Sequence, residues 1–366
     1  MDRQRSTKLS WGAALLIVIL VTALSFGGAR LFVHLRSGNE FGSYTVLDLP
    51  GNQALQTVGN GFVYYDGDSL SRVDSKGDTV WNYRAGANAQ FNARTSGVAA
   101  WSGEMLTLID WEKGTTLCSS PMEGEVLSAR LGSKYAAVLL GPEHDSTIVL
   151  MEPGGREVDS IALAGETVLD YGFFSDDSLF WVMSLDTSGT VPTCEISTYK
   201  PGKMIVGSIT DNEQLMYQVM FQSSQVCTAG VTHLKVYDYT GTEDEDKRRL
   251  VYGWYLVSTD NDSSDPMMAY VLSSQYDAVG SMQDVRMIRS DLDQVVRMPF
   301  GCKALVAKGD RVYGFSNEGH IMVAQAGQQK VNAYPVSVPM ERIYGITQDG
   351  VAVIGYGTQI YLVNLP

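Results

Sequence analysis

The side chains best suited to nucleophilic, acid–base or metal chemistry lie far apart in this sequence. They are the histidines His144, His233 and His320 and the cysteines Cys118, Cys194, Cys227 and Cys302. None stands in an HExxH, CxxC or mixed Cys/His spacing that suits zinc, and none belongs to a Ser/His/Asp signature. We therefore expect loop or packed histidines and buried cysteines, with one disulfide possible whose pairing the spacing does not assign.

Two acidic stretches could bind a cation or a basic partner. One is "DNDSSD", residues 260–265. Its Asp260, Asp262 and Asp265 are close enough in sequence to share one calcium ion, although the Gly and the distal Glu of an EF-hand loop are missing. The other, "TEDEDKRR" at 242–249, mixes both charges, which is typical of a solvated loop. The three aspartates are therefore the metal candidates, and no cofactor is expected.

The N-terminal segment is long and apolar enough to form one membrane-spanning helix. Leu9 to Ala29 comprises 21 residues without a charge. At about 1.5 Å per residue, such a helix spans the roughly 30 Å hydrocarbon layer of a bilayer. Basic residues outnumber acidic ones ahead of it, which favours a cytoplasmic N-terminus. A cleaved signal peptide with Ala23 and Ser25 at the cleavage site is the alternative, but the apolar run exceeds the usual length of about 7–15 residues.

These features predict four regions in the chain. They are a cytoplasmic tail at 1–8, a signal-anchor helix at 9–33, a linker at 34–42 and an extracytoplasmic domain at 43–366. The chain after the predicted helix is acidic, since residues 38–366 carry 22 Lys and Arg against 40 Asp and Glu, a formal charge of −18. This charge repels nucleic acid and anionic lipid headgroups, so nucleic acid is excluded as a partner, and solubility explains the charge.

A hairpin pattern recurs about every 40 residues in the acidic region. Its first copy is "LSRVDSKGDTVWNY", in which two alternating strands flank Gly77. Six further copies are centred on Gly114, Gly155, Gly202, Gly241, Asp293 and Gly327, and a last unit, "TQIYLVNLP", stops after one strand. Short apolar strands such as "GFVYY" precede each hairpin and bring each unit to about four strands. A period of about 40 residues with four strands is typical of a β-propeller.

The repeat predicts an all-β fold, a β-propeller with eight blades. No long amphipathic helical pattern interrupts the strands, which disfavours a parallel α/β sheet because that would need crossover helices. "SYTVLDLP", Ser43 to Pro50, has no hairpin partner of its own. We expect it to supply the outer strand of the incomplete last unit and so close the ring. Seven blades is the alternative, because units five and six contain inserted polar loops and are hard to divide.

The turn "VDSKGDTVW" resembles the repeat of quinoprotein-like (PQQ-like) β-propellers, in which an Asp, a Gly and a Trp dock one blade against the next. The first copy matches with Asp74, Gly77 and Trp81, although its Asp is one residue closer to the Gly than usual. The second copy keeps Asp110 and Gly114, but a cysteine replaces the Trp. The resemblance implies a structural, blade-docking role for these five residues. The order of tail, membrane helix and degenerate propeller is also similar to uncharacterised membrane-anchored propeller families of Gram-positive bacteria.

No catalytic residue set accompanies this resemblance. A quinoprotein dehydrogenase usually needs an adjacent cysteine pair, which is missing, and the seven-residue separation of Asp74 and Trp81 fails the sialidase aspartate box. The favoured hypothesis is a non-catalytic module in the bacterial cytoplasmic membrane that binds a protein or cell-envelope ligand, and it predicts an exposed aromatic or charged patch on one face. A divergent quinoprotein-like enzyme or small-ligand sensor is the alternative, and it predicts convergent carboxylates and a metal in the channel.

Overall fold

The computed structural model describes residues 41–49, 54–174, 177–187, 189–190, 192–222, 225–261, 263–276 and 280–366. The predicted tail and membrane helix lie outside these residues, as do Pro50 and Asp262. Within the described ranges, no helix is long and apolar enough to cross a bilayer. Strands dominate, and the one α-helix in this part of the chain is the four-residue α1 (Ser273–Tyr276). The all-β class is therefore confirmed.

Consecutive strands pair antiparallel through short connections and form a series of sheets. After β1 (Tyr44–Leu47), five four-stranded sheets follow in sequence order. The first two consist of β2 (Ala54–Val58), β3 (Gly61–Tyr65), β4 (Ser69–Asp74) and β5 (Thr79–Arg84), then β6 (Gln90–Arg94), β7 (Gly97–Ser102), β8 (Met105–Ile109) and β9 (Thr116–Pro121). The third and fourth consist of β10 (Val126–Leu131), β11 (Ala136–Leu140), β12 (Ile148–Met151) and β13 (Glu157–Ile161), then β14 (Thr167–Phe173), β15 (Phe180–Asp186), β16 (Thr193–Lys200) and β17 (Met204–Asp211). The fifth consists of β18 (Met216–Gln222), β19 (Gln225–Gly230), β20 (His233–Tyr237) and β21 (Arg249–Leu250).

A seven-stranded sheet follows where the sequence predicts two separate units. Its strands are β22 (Trp254–Thr259), β23 (Met268–Leu272), β24 (Met282–Arg289), β25 (Leu292–Lys308), β26 (Arg311–Ser316), β27 (His320–Gln325) and β28 (Asn332–Pro335). The long β25 pairs first with β24 and then with β26. A Cβ at Gly301, inside β25, would be 1.9 Å from the Gly280 carbonyl oxygen. Glycine is therefore required where the strand changes partner, and no loop interrupts it there.

The two ends of the described chain pair with each other. The last sheet contains β29 (Arg342–Ile346), β30 (Val351–Tyr356) and β31 (Gln359–Asn364). β1 lies antiparallel to β31, with Tyr44 opposite Val363 and Leu47 opposite Ile360, and is the outer strand of this sheet. Phe62 of the first sheet also packs in one core with residues of the last sheet. The first and last sheets are therefore neighbours in space.

Each sheet buries both of its faces against the sheets on either side. In β7, Val98 and Ala100 pack in the core shared with the first sheet. The alternate residues Ala99 and Trp101 pack in the core shared with the third sheet. Successive side chains of a strand point to opposite faces, so a two-sided sheet needs a strand that is apolar throughout. This explains the short, continuously apolar second strands, of which "GVAAW" is one.

Candidate functional site

In each sheet, we call the end at which the first strand begins the upper face. Because neighbouring strands are antiparallel, the second strand ends, the third begins and the fourth ends at this face as well. In the fifth sheet, Met216 lies opposite Gly230 and His233 lies opposite Leu250. Segments that are distant in sequence therefore meet at the upper face.

A groove of about 890 Å³ opens on the upper face between the fifth sheet and the seven-stranded sheet. Tyr217, Tyr252, Trp254 and Tyr255 line it, and Tyr276 of α1 packs against Tyr255 with 4.1 Å between ring centroids. We call these five side chains the aromatic groove. No described residue that lines the cavity carries a charge.

The apolar side chains at the rim of the groove are unusually exposed to solvent. Tyr252 is 74% and Leu250 is 62% exposed, and Val231 is half exposed. Tyr252 lies in the connection between β21 and β22, just before Gly253, whose φ of +82° favours glycine. A contiguous apolar surface of this kind typically marks an interaction site.

The aromatic rings are held in place before any ligand arrives. Tyr217 and Tyr255 stack with centroids 6.0 Å apart and an interplanar angle of 5°. The Arg286 guanidinium lies over Trp254 at 5.8 Å and donates two hydrogen bonds of 2.8 Å to the Asp293 carboxylate. Burial raises the pKa of Tyr217, so its hydroxyl stays neutral at physiological pH. Such preorganisation lowers the entropy cost of binding.

β-Bulges lie near the upper ends of several first strands. The pairing register shifts by one residue in six of the described first strands, counting the second part of β25 as one. The extra residues are Leu127, Leu169, Tyr217, Val257, Lys303 and Tyr344. A bulge re-aims a side chain at a sheet rim, and Leu127 and Leu169 are both exposed. Exposed apolar side chains therefore also lie near the upper ends of the third and fourth sheets.

The first predicted docking turn brings Trp81 against the second sheet. The Asp74 carboxylate accepts hydrogen bonds of 2.9 Å from the Lys76 and Asp78 amides, and so holds its own turn. Gly77 in this turn has a φ of +98°. Trp81 is buried, and its indole N–H donates to the Trp111 carbonyl oxygen at 2.8 Å.

The second predicted docking turn meets the same tryptophan. Gly114 has a φ of +64°, and a Cβ there would be 2.6 Å from the Trp81 indole. The Asp110 carboxylate accepts a hydrogen bond from the Lys113 amide at 2.7 Å. The structure thus brings Trp81 and Gly114 together, whereas Asp110 stays within its own turn. The blade-docking role of these residues remains a prediction that unfolding experiments can test.

The aspartates that the sequence suggests as metal ligands accept hydrogen bonds from other parts of the protein. Asp260 accepts a hydrogen bond from the Gly309 amide at 2.7 Å, and Asp265 accepts one from the Ser290 hydroxyl at 2.8 Å. Asp262 lies outside the described residues. In the part of the chain that the structure describes, no three His, Cys, Asp or Glu side chains gather in a way that could hold a metal.

The acidic stretch at 242–249 is largely neutralised by its own basic residues. Glu243 pairs with Arg248 at 2.7 Å, and Asp244 pairs with Lys247 at 3.2 Å. These exposed pairs are weak, but they leave little net charge on the loop. The stretch has the charge balance expected of a solvated loop.

The cysteines lie in four different strands and are free thiols. Burial raises the pKa of Cys227 and of Cys302 to about 12 and also raises the pKa of Cys194. A thiolate is the reactive form, so these three side chains are unreactive at neutral pH.

The histidines are separate from the cysteines and from one another. His233 contacts the Thr232 hydroxyl at 3.1 Å through Nδ1, and His320 stacks on Phe300 with centroids 4.1 Å apart. His144 ends a short 3₁₀ turn, where its ring covers Gly124. The Thr232 hydroxyl donates its proton to Gln214 Oε1 at 2.8 Å, so His233 does not act as its base in this arrangement.

Sequence reasoning missed the aromatic groove, although one local signal was present. "YGWY", Tyr252 to Tyr255, places three aromatic residues within four positions. Tyr217 and Tyr276 join them only through pairing between strands and sheets. No spacing along the chain indicates that contact.

No protein-family model matches the chain, and no curated protein matches it. Solved structures do resemble it. The C-terminal WD40 domain of Sif2 aligns with a TM-score of 0.61 and 12% identity over 89% of this chain and 98% of that one. BamB from Moraxella catarrhalis aligns with a TM-score of 0.54 and 12% identity, over 89% of this chain and 99% of that one. Saccharomyces cerevisiae Sqt1 aligns with a TM-score of 0.58 and 9% identity, over 90% of this chain and 100% of that one. Identities this low show the fold alone, and the chain is a β-propeller repeat protein.

Proposed function

We propose that this chain is an eight-bladed β-propeller, anchored in the bacterial cytoplasmic membrane by residues 9–33, that binds a protein partner outside the cytoplasm through its aromatic groove. It acts as a non-catalytic scaffold. The observation that carries the proposal is the groove itself, which is uncharged, already stacked and exposed to 74% at Tyr252. Aromatic side chains on a rigid framework are typical of the centre of a protein interface.

The proposed blade count rests on dividing the seven-stranded sheet at β25. Its two halves share that strand and together count as two blades, and the six four-stranded sheets of the described residues supply the other six. The pairing of β1 with β31 supports the proposed closure of the ring. The contact of Trp81 with Gly114 supports the quinoprotein-like character of the first two blades.

Charge and surface chemistry favour a protein partner over the other classes. The formal charge of −18 on residues 38–366 disfavours nucleic acid and anionic lipid. Lining side chains without charge suit an apolar segment, and bulge residues on several sheets widen the contact area. Loops and strand ends on a rigid scaffold are the usual place for such binding.

A photo-crosslinking residue at position 252 is expected to capture one defined partner in intact cells that express the full chain. The same residue at Tyr239 is the matched control. Tyr239 is also exposed, but it lies in the loop between β20 and β21 that starts at the lower end of β20, opposite the upper face. Adducts are identified by mass spectrometry after denaturing purification.

Two results would contradict the proposed binding face. One is the same set of adducts from positions 252 and 239, and the other is no adduct from 252. Tyr252→Ala and Tyr255→Ala should each reduce capture from a crosslinker at position 231, next to the groove. Tyr239→Ala should leave that capture unchanged.

The membrane anchor is tested independently of the groove. We expect the full chain to sediment with membranes and to resist extraction at alkaline pH, because about 21 apolar residues are enough to span a bilayer. Deletion of residues 9–33 should leave the chain in the soluble fraction. External protease should degrade residues 43–366 in intact protoplasts. A full chain that is soluble, or protected from that protease, would rule out the proposed location.

A further inference from the structure

The aromatic groove presents a series of adjoining rings to solvent. The Tyr217 and Tyr255 rings are parallel within 5°, with centroids 6.0 Å apart. The Tyr276 ring follows Tyr255 at 4.1 Å. Tyr252 is 74% exposed, Tyr276 45% and Tyr255 40%. A ligand that lies along the groove therefore meets one ring surface after another.

The spacing of the rings matches a polyproline II helix. Such a helix advances about 3.1 Å per residue, so one to two residues cover the distance from one centroid to the next. Proline rings pack on aromatic side chains, and a proline-rich segment is already extended before it binds. Little conformational entropy is then lost on either side of the contact, because the rings of the groove are also held in place.

The groove also offers a hydrogen-bond donor that such a segment needs. No described residue accepts a hydrogen bond from the Trp254 indole N–H, which is accessible to solvent. A polyproline II helix has no internal hydrogen bonds, and proline has no N–H group, so its carbonyl oxygens outnumber its donors. The indole N–H is therefore a suitable partner for a backbone carbonyl of the segment.

The composition of the lining disfavours other kinds of ligand. A sugar chain carries many hydroxyl groups whose protons need acceptors, whereas the described lining has no carboxylate and one amide side chain, that of Gln218. A charged peptide would lose water against uncharged rings without gaining an ion-pair partner. An uncharged segment rich in carbonyl groups has neither difficulty.

We propose that the aromatic groove binds a proline-rich segment of the partner in the polyproline II conformation. The proline rings of this segment pack against Tyr252, Tyr255 and Tyr276, and Trp254 Nε1 donates to one of its carbonyl oxygens. This inference rests on the proposed function, because it names the kind of segment by which the partner enters the groove.

The test titrates the full chain in detergent with two fluorescently labelled peptides, decaproline and an alternating Ala-Pro decapeptide. Both favour the polyproline II conformation. An alternating Gly-Ser decapeptide, which is equally uncharged but flexible, is the matched control. Fluorescence anisotropy should show saturable binding of at least one proline peptide with a Kd below about 1 mM. The Gly-Ser peptide should bind at least about ten-fold more weakly.

Variants then assign the binding to the groove. Tyr255→Ala should weaken the binding of the proline peptide at least about ten-fold, as removal of a central aromatic side chain of an interface often does. Trp254→Phe keeps an aromatic ring but loses the N–H, and should weaken binding about five-fold. Tyr239→Ala, at an exposed position away from the groove, is the matched control and should bind as tightly as the unmodified chain. Circular dichroism verifies that each variant is folded.

Three results would overturn the proposal. They are no saturable binding of either proline peptide up to about 1 mM, equal binding of the Gly-Ser peptide, and an unchanged affinity in Tyr255→Ala. A tetramer of N-acetylglucosamine is titrated in parallel, and tighter binding of this sugar than of both proline peptides would also count against the proposal.

Crosslinking from position 252 tests the proposed function separately, because it captures a partner of any chemistry. A defined adduct in cells, together with a failed peptide titration, would leave the groove as the binding face and overturn only the proline-rich segment. If both inferences hold, the crosslinked peptide of the partner should itself be rich in proline.

Discussion

Replacing Trp81 by alanine is expected to lower the free energy of unfolding by about 3–5 kcal/mol, the usual cost of deleting a buried aromatic side chain. The Trp81 indole packs with Phe91 and Ile109 in the core between the first and second sheets. Its N–H also donates to the Trp111 carbonyl oxygen. Alanine leaves a cavity at this junction that rigid sheets cannot collapse to fill. Urea unfolding followed by circular dichroism measures the loss.

Neighbouring substitutions separate the docking role from a general effect of mutation. Trp81→Phe keeps most of the ring and loses the hydrogen bond, so a smaller cost of about 1–2 kcal/mol is expected. Val80→Ala, at an exposed position on the same strand, should change stability by less than about 0.5 kcal/mol. Gly114→Ala should destabilise because its Cβ would clash with the indole. An unchanged urea midpoint in Trp81→Ala would refute the docking role.

Lys235→Ala is expected to cost about 3–5 kcal/mol, the usual effect of removing one partner of a buried ion pair. Lys235 Nζ in the fifth sheet lies 3.0 Å from Asp211 Oδ2 at the end of the fourth sheet and 2.9 Å from Glu213 Oε2. The side chains of Lys235 and Asp211 are 4% and 1% exposed, so alanine leaves a buried carboxylate without its cation. Lys308→Ala, which breaks a more exposed pair, is the comparison and should cost less.

The same pair makes the stability of the protein depend on pH. Burial opposes the charge on Asp211, but hydrogen bonds from Lys235, the Glu213 amide and Gln214 outweigh it and lower its pKa. A lowered pKa contributes stability above the pKa of the unfolded chain, about 4, and that contribution is lost as the pH falls through the folded-state pKa. Lys235, whose pKa is raised, contributes throughout neutral pH and loses its effect only in strong alkali.

Asp211→Asn tests this assignment in acid. The variant should be less stable than the unmodified chain at pH 7, and the difference should shrink as the pH falls below about 4 and the carboxylate of the unmodified chain is protonated. Thermal unfolding at a series of pH values measures the difference. A difference that stays constant through this range would show that the charge of Asp211 is not responsible.

The hairpins could be predicted from the sequence because their signals are local. The turn at Gly77 needs a positive φ, and the Asp74 carboxylate caps the same turn, so residues within five positions determine it. The apolar second strands could be predicted for a similar reason, since a strand buried on both faces has no polar alternation. The N-terminal strand β1 was expected to pair with the last unit because both were left without a partner.

The continuous strand β25 and the aromatic groove could not be predicted in this way. A period of about 40 residues predicts a boundary between units six and seven, and it does not reveal that β25 runs through this boundary as one strand that pairs with β24 and then with β26. The stack of Tyr217, Tyr255 and Tyr276 joins three segments that no motif connects.

By itself, the sequence determined the all-β class, the repeating hairpins and the acidic surface, because turn chemistry, strand periodicity and net charge depend on neighbouring residues or on composition. Only the tertiary structure decided which side chains meet. Antiparallel pairing brings strand ends from distant segments to one face, and packing between sheets decides whether an aromatic ring is buried, as at Trp81, or exposed, as at Tyr252. Binding surfaces in this fold are made by those long-range contacts, which local sequence does not specify.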